Sequence, residues 1–425
     1  MGFKYIDLFA GAGGLSEGFT RANFEPIAHV EMDEAACFTL KTRVAYQYLK
    51  ENNKENIYRS YLRNEITRKQ LYSDIPDELL ASVINLPIGG EYNPKIHSLI
   101  DNQLGNKNIP VNDIDLIIGG PPCQAYSVVG RARSENGMKG DPRNYLYVQY
   151  ARYLEVYNPK MFVFENVLGL KSAQKGLYLN NMEKLFNKKG YQIHVFTVEA
   201  NNFNVLQNRK RIIIIGWKDD FIPNLPDLEA IRLNRGYQVD SLLTDLPFLN
   251  AGEGEDKCMN YTGASNRYLA LSGIRNGLKE LTHHVARPHT RQDQEIYRIA
   301  VDKWNRNKER LDYNSLPDVL KTHSNRESFT DRFKVVAGDS PYSQTVVAHI
   351  DKDGHYYIHP DIDQNRSLTV REAARLQSFP DNYYFEGVKE TGSRTAAFKQ
   401  IGNAVPPLMA YEIAAALSHV LETAH

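Results

Sequence analysis

The sequence predicts an α/β fold: a mostly parallel sheet with helices between its strands, then a second, smaller domain of mixed structure. Three observations predict it. Short apolar, β-branched runs recur through the first half, separated by helix-length segments, which is the pattern of βαβ units. A glycine-rich turn follows the first run and leads into a helical pattern. From about Lys218 the alternation dissolves into stretches punctuated by Pro223, Pro226 and Pro247, and helical periodicity returns from Thr369.

In chain order, Lys4–Phe9 is a short apolar strand, and Leu15–Ala22 can open a helix after the glycines. Pro26–Glu31 is a second strand, with Asp33 placed to cap the next helix. Residues 45–112 interrupt the pattern. They are rich in Tyr, Lys, Arg and Asn and read as a helical insertion with a solvated basic face. Ile114–Gly119 is a third strand, and Tyr145–Tyr157 has helical periodicity. Met161–Phe164, Gln192–Val198 and Arg211–Gly216 complete six strands. Further on, Ser343–Ile350 and His355–Ile358 flank Asp351-Lys-Asp-Gly354, a hairpin signal. Leu408–Leu421 is an amphipathic helix.

The chain has 425 residues, enough for two domains at roughly 100–200 residues each. With 42% hydrophobic and 24% charged residues it is an ordinary globular chain, not a disordered one. No apolar run reaches the ~18 residues of a membrane span, and no leader pattern precedes the first strand. Three scattered cysteines, Cys37, Cys123 and Cys258, exclude a disulfide framework and a cysteine zinc site, and no metal site is expected. A zero net charge excludes a wholly basic nucleic-acid coat while leaving a local basic face open.

Four segments offer chemistry. Phe9-Ala-Gly11-Ala-Gly13-Gly14-Leu15 lies between strand and helix, where glycines admit a ligand close to the backbone. Glu31, ending the next strand, can accept two ribose hydroxyls. By themselves these two features fit NAD, FAD or S-adenosylmethionine, or a tight turn without ligand. Gly119-Gly-Pro-Pro-Cys123-Gln-Ala-Tyr-Ser127 follows the third strand and places a thiol at the sheet edge that faces a ligand crevice. Glu165-Asn166 ends the fourth strand with a carboxylate and an amide, suited to acid catalysis or to a helix cap. In Gln207-Asn-Arg209-Lys-Arg211, alternate residues point the same way if the segment is extended, so all three could line a surface for an anion or carbonyl.

Taken together, these segments resemble the cytosine-5 DNA methyltransferase family of the bacterial restriction-modification type. The resemblance rests on Asp7–Leu15, Pro121-Pro-Cys-Gln124, Glu165-Asn-Val167, Gln207–Arg211, Arg371–Pro380 and Gln400–Pro407, in the family's order. It implies a Rossmann-like S-adenosylmethionine-dependent methyltransferase domain with a smaller target-recognition domain. Cys123 is then the nucleophile on carbon-6 of a flipped cytosine. Glu165 protonates ring nitrogen 3, Asn166 orients the acid's loop, and Arg209 and Arg211 hold the ring carbonyl and a phosphate. The resemblance carries cofactor contacts onto Phe9, Gly11, Gly13, Gly14, Leu15, Glu31, Met32, Pro122, Leu146, Asn403, Ala404 and Val405. DNA contacts fall on Gln124, Ser127, Arg131 and Gln207. The last cofactor contacts lie some 390 residues beyond the glycine loop, so the C-terminal helix is expected to return to the first domain.

The implied domains are 1–219 plus 393–425 for catalysis and 220–392 for target recognition. Within the latter, residues 271–335 hold 13 Lys or Arg against 9 Asp or Glu, a local excess suited to phosphates. Two departures stand out. The family's Gly-Val-Pro before the arginine motif is Asn204-Val-Leu206 here, and Asp101 is a poor match for the acid that usually meets the adenine amine. The expected partner is double-stranded DNA in the bacterial cytoplasm, bound by a monomer with no membrane attachment, and a cognate endonuclease would act separately. The competing readings are a transfer-RNA cytosine methyltransferase, a non-catalytic regulator on the same fold, and an NAD-dependent dehydrogenase.

Overall fold

The computed structural model describes residues 2–122, 145–221, 223–233, 235–324, 326–327, 330–391 and 394–423. Its centre is a seven-stranded sheet: β1 (Lys4–Leu8), β2 (Glu25–Glu31), β3 (Val83–Asn85), β4 (Leu116–Gly119), β5 (Met161–Asn166), β6 (Tyr191–Glu199) and β7 (Lys210–Lys218). The spatial order is β3-β2-β1-β4-β5-β7-β6. Neighbours from β3 to β5 are parallel, and β7 runs antiparallel to both β5 and β6. The central strands β4 and β5 are buried along their whole length, as in a sheet covered on both faces.

On one face, α6 (Asn93–Asn106), α7 (Leu146–Tyr157) and α9 (Leu177–Lys188) bury Ile96, Tyr150, Tyr153 and Phe186 against Ile6, Ile117 and Phe162. On the other, α1 (Gly14–Arg21) and the C-terminal α14 (Pro407–Thr423) bury Phe19, Ile413 and Leu417 against Tyr5, Ile118 and Val163. The C-terminal helix does return. A methyl group on Gly18 would stand 2.4 Å from Ala410 Cβ, so only glycine lets α1 and α14 approach this closely. The run 394–423 is long and apolar enough to cross a bilayer, but its apolar face is spent on this core.

Residues 45–112 are not one insertion. Short helices α3 (Glu55–Leu62), α4 (Arg68–Ser73) and α5 (Asp77–Leu80) do form an added layer around Tyr46, Tyr58 and Tyr61. The same stretch supplies the edge strand β3 and α6, which covers the sheet. Three residues are too short a run for the strand to stand out from its polar surroundings.

The segment beyond β7 is also more integrated than the boundaries at 220 and 392 imply. Leu228 packs into the sheet's second core, and Val239, Leu269, Val346 and Leu376 share a core with Ala12 of the glycine loop. A smaller unit stands apart, where α11 (Arg291–Asn307) packs Tyr297 and Val301 on Leu311, Phe333 and Ile358. The expected hairpin at 343–358 gives way to a short 3-10 turn over Ala348–Asp351. Side chains have taken the backbone groups a ladder would use: Gln207 Oε1 accepts from Val346 N, and Tyr357 Oη bonds Val347 N and Thr345 O.

Candidate active site

The carboxyl ends of β1, β2, β4 and β5 share one edge of the sheet, and the turns after them carry the candidate residues. After β1 the chain turns through Phe9, Gly11 and Gly13, all at positive φ (56°, 54° and 78°). Beside Gly11 a Cβ would meet nothing within 4 Å, so the backbone is open to a ligand. Gly14 begins α1, where a Cβ would stand 2.3 Å from Val405 O and 3.0 Å from Ala404 Cβ. The glycine loop and the 403–405 loop are therefore in contact. The Leu15 side chain is buried with Phe19 and Met409, so what it offers a ligand is backbone.

Glu31 ends β2 and accepts three backbone hydrogen bonds of 2.8 Å, from Gly11, Met32 and Asp33. Burial pushes its carboxyl above the ordinary range, and those N–H groups oppose the rise. It thereby ties the β1 and β2 turns together. Met32 follows with its side chain 66% exposed, an apolar surface that a flat aromatic ligand can cover. Asn85, not singled out from sequence, ends β3 and donates to Glu31 O and Met32 O at 3.1 and 3.0 Å, fixing that turn. Asp101, by contrast, sits on α6 and accepts from Tyr157 Oη. Cys37 is inert: it donates to Glu31 O, and burial raises its thiol to about 12.

At the end of β5, Glu165 and Asn166 turn towards the Gly120-Pro121-Pro122 segment after β4. Arg211 Nε forms an ion pair with Glu165 Oε1 at 2.7 Å, both side chains being about nine-tenths buried. A methyl on Gly120 would stand 2.9 Å from Glu165 Oε2, so glycine there makes room for the acid. Asn166 Nδ2 donates to Pro121 O at 3.3 Å and its Oδ1 accepts from Val167 N, joining the two turns. Pro122, just before Cys123 in the sequence, is exposed, and Leu146 opens α7, half-buried. Cys123, Gln124, Ser127 and Arg131 lie outside the described residues.

Gln207 and Arg209 do not line a ligand surface with Arg211. Gln207 is fully buried; it donates to Leu376 O and Gln377 Oε1. Arg209 is 1% exposed and donates to Val346 O, Gly402 O and Ala404 O at 2.6, 3.1 and 2.8 Å. Both of its Nη groups are committed to main-chain carbonyls, which leaves Arg211 as the arginine of the motif beside Glu165. The loop before it is pinned without the family's proline. Asn204 takes the left-handed backbone at φ 61°, which asparagine tolerates, and Leu206 is buried. Gln377, which sequence reasoning also missed, donates to Ile401 O and Ala404 O and supports the 401–405 loop from the other side.

Comparison with known proteins identifies the family. The family model described as C-5 cytosine-specific DNA methylase matches residues 3–71 and 91–419. The chain belongs to that family. It is a DNA cytosine-5 methyltransferase on a Rossmann-like fold, which excludes the regulator and dehydrogenase readings. It is 41% identical to the type II methyltransferase M.Bpa9945I of Bacillus paralicheniformis, across 99% of both chains. It is 31% identical to the type II methyltransferase M.DdeI of Desulfomicrobium norvegicum, across 98% of this chain and 89% of that one. Among solved structures, a prophage-encoded E. coli protein described as a DNA modification methyltransferase superposes with a TM-score of 0.63 at 22% identity, covering 99% of each chain. The stretch 72–90 that the family model passes over contains α5 and the edge strand β3.

Proposed function

We propose that the enzyme transfers a methyl group from S-adenosylmethionine to carbon-5 of a flipped cytosine within a specific duplex DNA site, through a covalent adduct on Cys123. The residues at the β1 and β2 turns suit that cofactor. Gly11 leaves backbone open, Met32 offers an apolar surface, and the Glu31 carboxylate closes the cradle. Phe9, Gly13, Gly14, Pro122, Leu146 and the Asn403–Val405 loop bound the remaining sides. The cofactor, when bound, supplies an electrophilic methyl group on a sulfonium sulfur.

The observation that carries the reading is the packing of Glu165, held by Arg211, against Gly120 at the base of the turn that leads to Cys123. Carbon-5 of cytosine is a weak nucleophile. Attack of the Cys123 thiolate on carbon-6 forms a C–S bond and shifts the ring electrons, while Glu165 gives a proton to nitrogen 3. The ring is then an enamine whose carbon-5 can take up a methyl group. Loss of the carbon-5 proton to a base breaks the C–S bond, restores the 5,6 double bond and frees the thiolate. Glu165 recovers the nitrogen-3 proton. Arg211 keeps the carboxyl aimed and is near enough to the acid to meet the ring carbonyl. Asn166 keeps the acid and the cysteine turn in register. A stacked base cannot enter this edge of the sheet, so the cytosine must leave the duplex.

The segment from 220 to 392, with its basic stretch over 271–335, is the DNA-reading side. Gln124, Ser127 and Arg131 follow the nucleophile and meet DNA around the extruded base. By analogy with its type II relatives the enzyme protects sites in bacterial DNA from a separate endonuclease, working in the cytoplasm as a monomer. The test is covalent trapping on duplex DNA carrying 5-fluorocytosine, in which fluorine cannot leave carbon-5 as the proton does. The full chain forms a denaturation-resistant adduct and Cys123→Ala does not. An adduct that survives Cys123→Ala refutes the nucleophile. Methylation-sensitive sequencing of DNA from expressing cells gives the site, and a transfer-RNA substrate in the same assay stays unmethylated.

A further inference from the structure

The segment that brings Arg211 to Glu165 makes three further attachments just before β7, the first of them buried. Gln207 Oε1 accepts from Val346 N at 2.9 Å, and Asn208 N donates to Ser343 O at 2.9 Å. Thr345 Oγ1 donates to Asn208 O. The segment 343–346, part of the DNA-reading side, is thus stitched to the arginine motif along its length. Arg209 then joins this segment to another: one Nη binds Val346 O, and the other binds Gly402 O and Ala404 O. The two segments also touch directly, since a Cβ on Gly402 would stand 2.2 Å from Ala348 N. The 402–405 loop in turn abuts Gly14.

Each clamped carbonyl adjoins an exposed residue. Val347 follows Val346, and Asn403 lies between Gly402 and Ala404; both side chains reach the surface. A ligand that shifts either segment at its surface therefore moves carbonyls that one rigid guanidinium ties together. Arginine suits this task because its planar fork reaches carbonyls on two sides at fixed angles, which an ammonium on a flexible stem does not reproduce.

We propose that Arg209 is a positioning residue that couples the DNA-reading segment 343–347 to the cofactor loop 402–405, so that duplex DNA and cofactor strengthen each other's binding. The inference rests on the reading of 402–405 as a cofactor contact and of the middle segment as DNA-facing. Coupling of this kind is reciprocal: whatever factor DNA adds to cofactor affinity, cofactor adds to DNA affinity.

The test is calorimetry of S-adenosylhomocysteine, which cannot donate a methyl group, on the full chain alone and with a duplex bearing the methylated sequence. For the native enzyme the duplex raises the affinity by about 5- to 150-fold, the usual span of such couplings. In Arg209→Lys that ratio falls to about 1–2, whereas a role in stability alone lowers the melting temperature and both affinities while keeping the ratio. A ratio retained in Arg209→Lys overturns the proposal, as does a ratio of one in the native enzyme. If Arg209→Lys does not fold, Gln377→Ala frees the same loop from its other side and must shrink the ratio; a retained ratio there overturns the proposal too. A native enzyme that binds no S-adenosylhomocysteine in either state fails the cofactor reading itself, which separates the two failures.

Discussion

Replacing Gly120 by alanine tests the geometry of the acid without touching its chemistry. The backbone at Gly120 lies outside the positive-φ region, so alanine is tolerated there as a conformation. The new methyl, however, would sit 2.9 Å from Glu165 Oε2 and 3.8 Å from Glu165 Cβ and O. Ordinary contact begins near 3.4 Å, so the carboxylate must yield by the difference, about half an ångström. Its other oxygen is anchored 2.7 Å from Arg211 Nε, so the group rotates about that anchor, and Oε2 leaves its line to the base. A misplacement of about 1 Å costs roughly 100-fold in rate, which puts half that displacement near tenfold. The readout is single-turnover transfer of labelled methyl to duplex DNA, with S-adenosylhomocysteine affinity as control. The rate falls about tenfold, affinity stays within about twofold, and the stability cost of the extra methyl is at most about 1–3 kcal/mol. A folded Gly120→Ala enzyme with the native single-turnover rate refutes the placement of Glu165 as the proton donor.

Glu165→Gln removes the proton while keeping the shape, and lowers the single-turnover rate by about 100- to 10,000-fold with cofactor affinity preserved. Gly14→Ala drives a methyl to 2.3 Å from Val405 O, a backbone atom that cannot swing aside; cofactor affinity measured by calorimetry drops, along with about 1–3 kcal/mol of stability measured by urea unfolding. Burial, with Arg366 adding to it, holds the His359 imidazole down at about 4 against 6.5 when unfolded. The unfolded chain therefore binds more protons between those values. Stability is full above pH 6.5 and declines as pH falls towards 4, by about 2 kcal/mol between pH 7 and 5. Urea unfolding at the two pH values measures this, and His359→Gln gives a shallower dependence.

What the sequence made legible was whatever depends on local pattern. Strands buried on both faces announce themselves as unbroken apolar runs, such as Leu116–Gly119 within the expected Ile114–Gly119 and Ile212–Gly216 within the expected Arg211–Gly216. The edge strand Val83–Asn85 has no such run, and its partner β2 supplies the hydrogen bonds that define it, so nothing local marks it. The helix Asn93–Asn106 hides for a related reason: its buried Ile96, Ile100 and Leu104 are spaced among polar residues that suggest a solvated insertion. The hairpin at 343–358 fails on the opposite ground. Its local signal is good, but tertiary partners at Gln207 and Tyr357 outbid a ladder for the same backbone groups.

The arginine motif shows where pattern reasoning about a site runs out. Alternation puts residues two apart on one face only while the chain is a strand, and β7 begins at Lys210. Arg211 is inside that register and meets Glu165 across the antiparallel pair, where Glu165 stands opposite Ile213 and Asn166 opposite Ile212. Arg209 and Gln207 precede it in a loop, so their directions are set by what packs around them, namely segments more than 130 residues further along. The same residue types in one short motif are thereby divided between two tasks. One arginine pairs with Glu165, and the other carries three carbonyls from two distant segments. A charge in a sequence motif states what a residue can bind; which of its possible partners arrives is decided by the loops the rest of the chain brings to it.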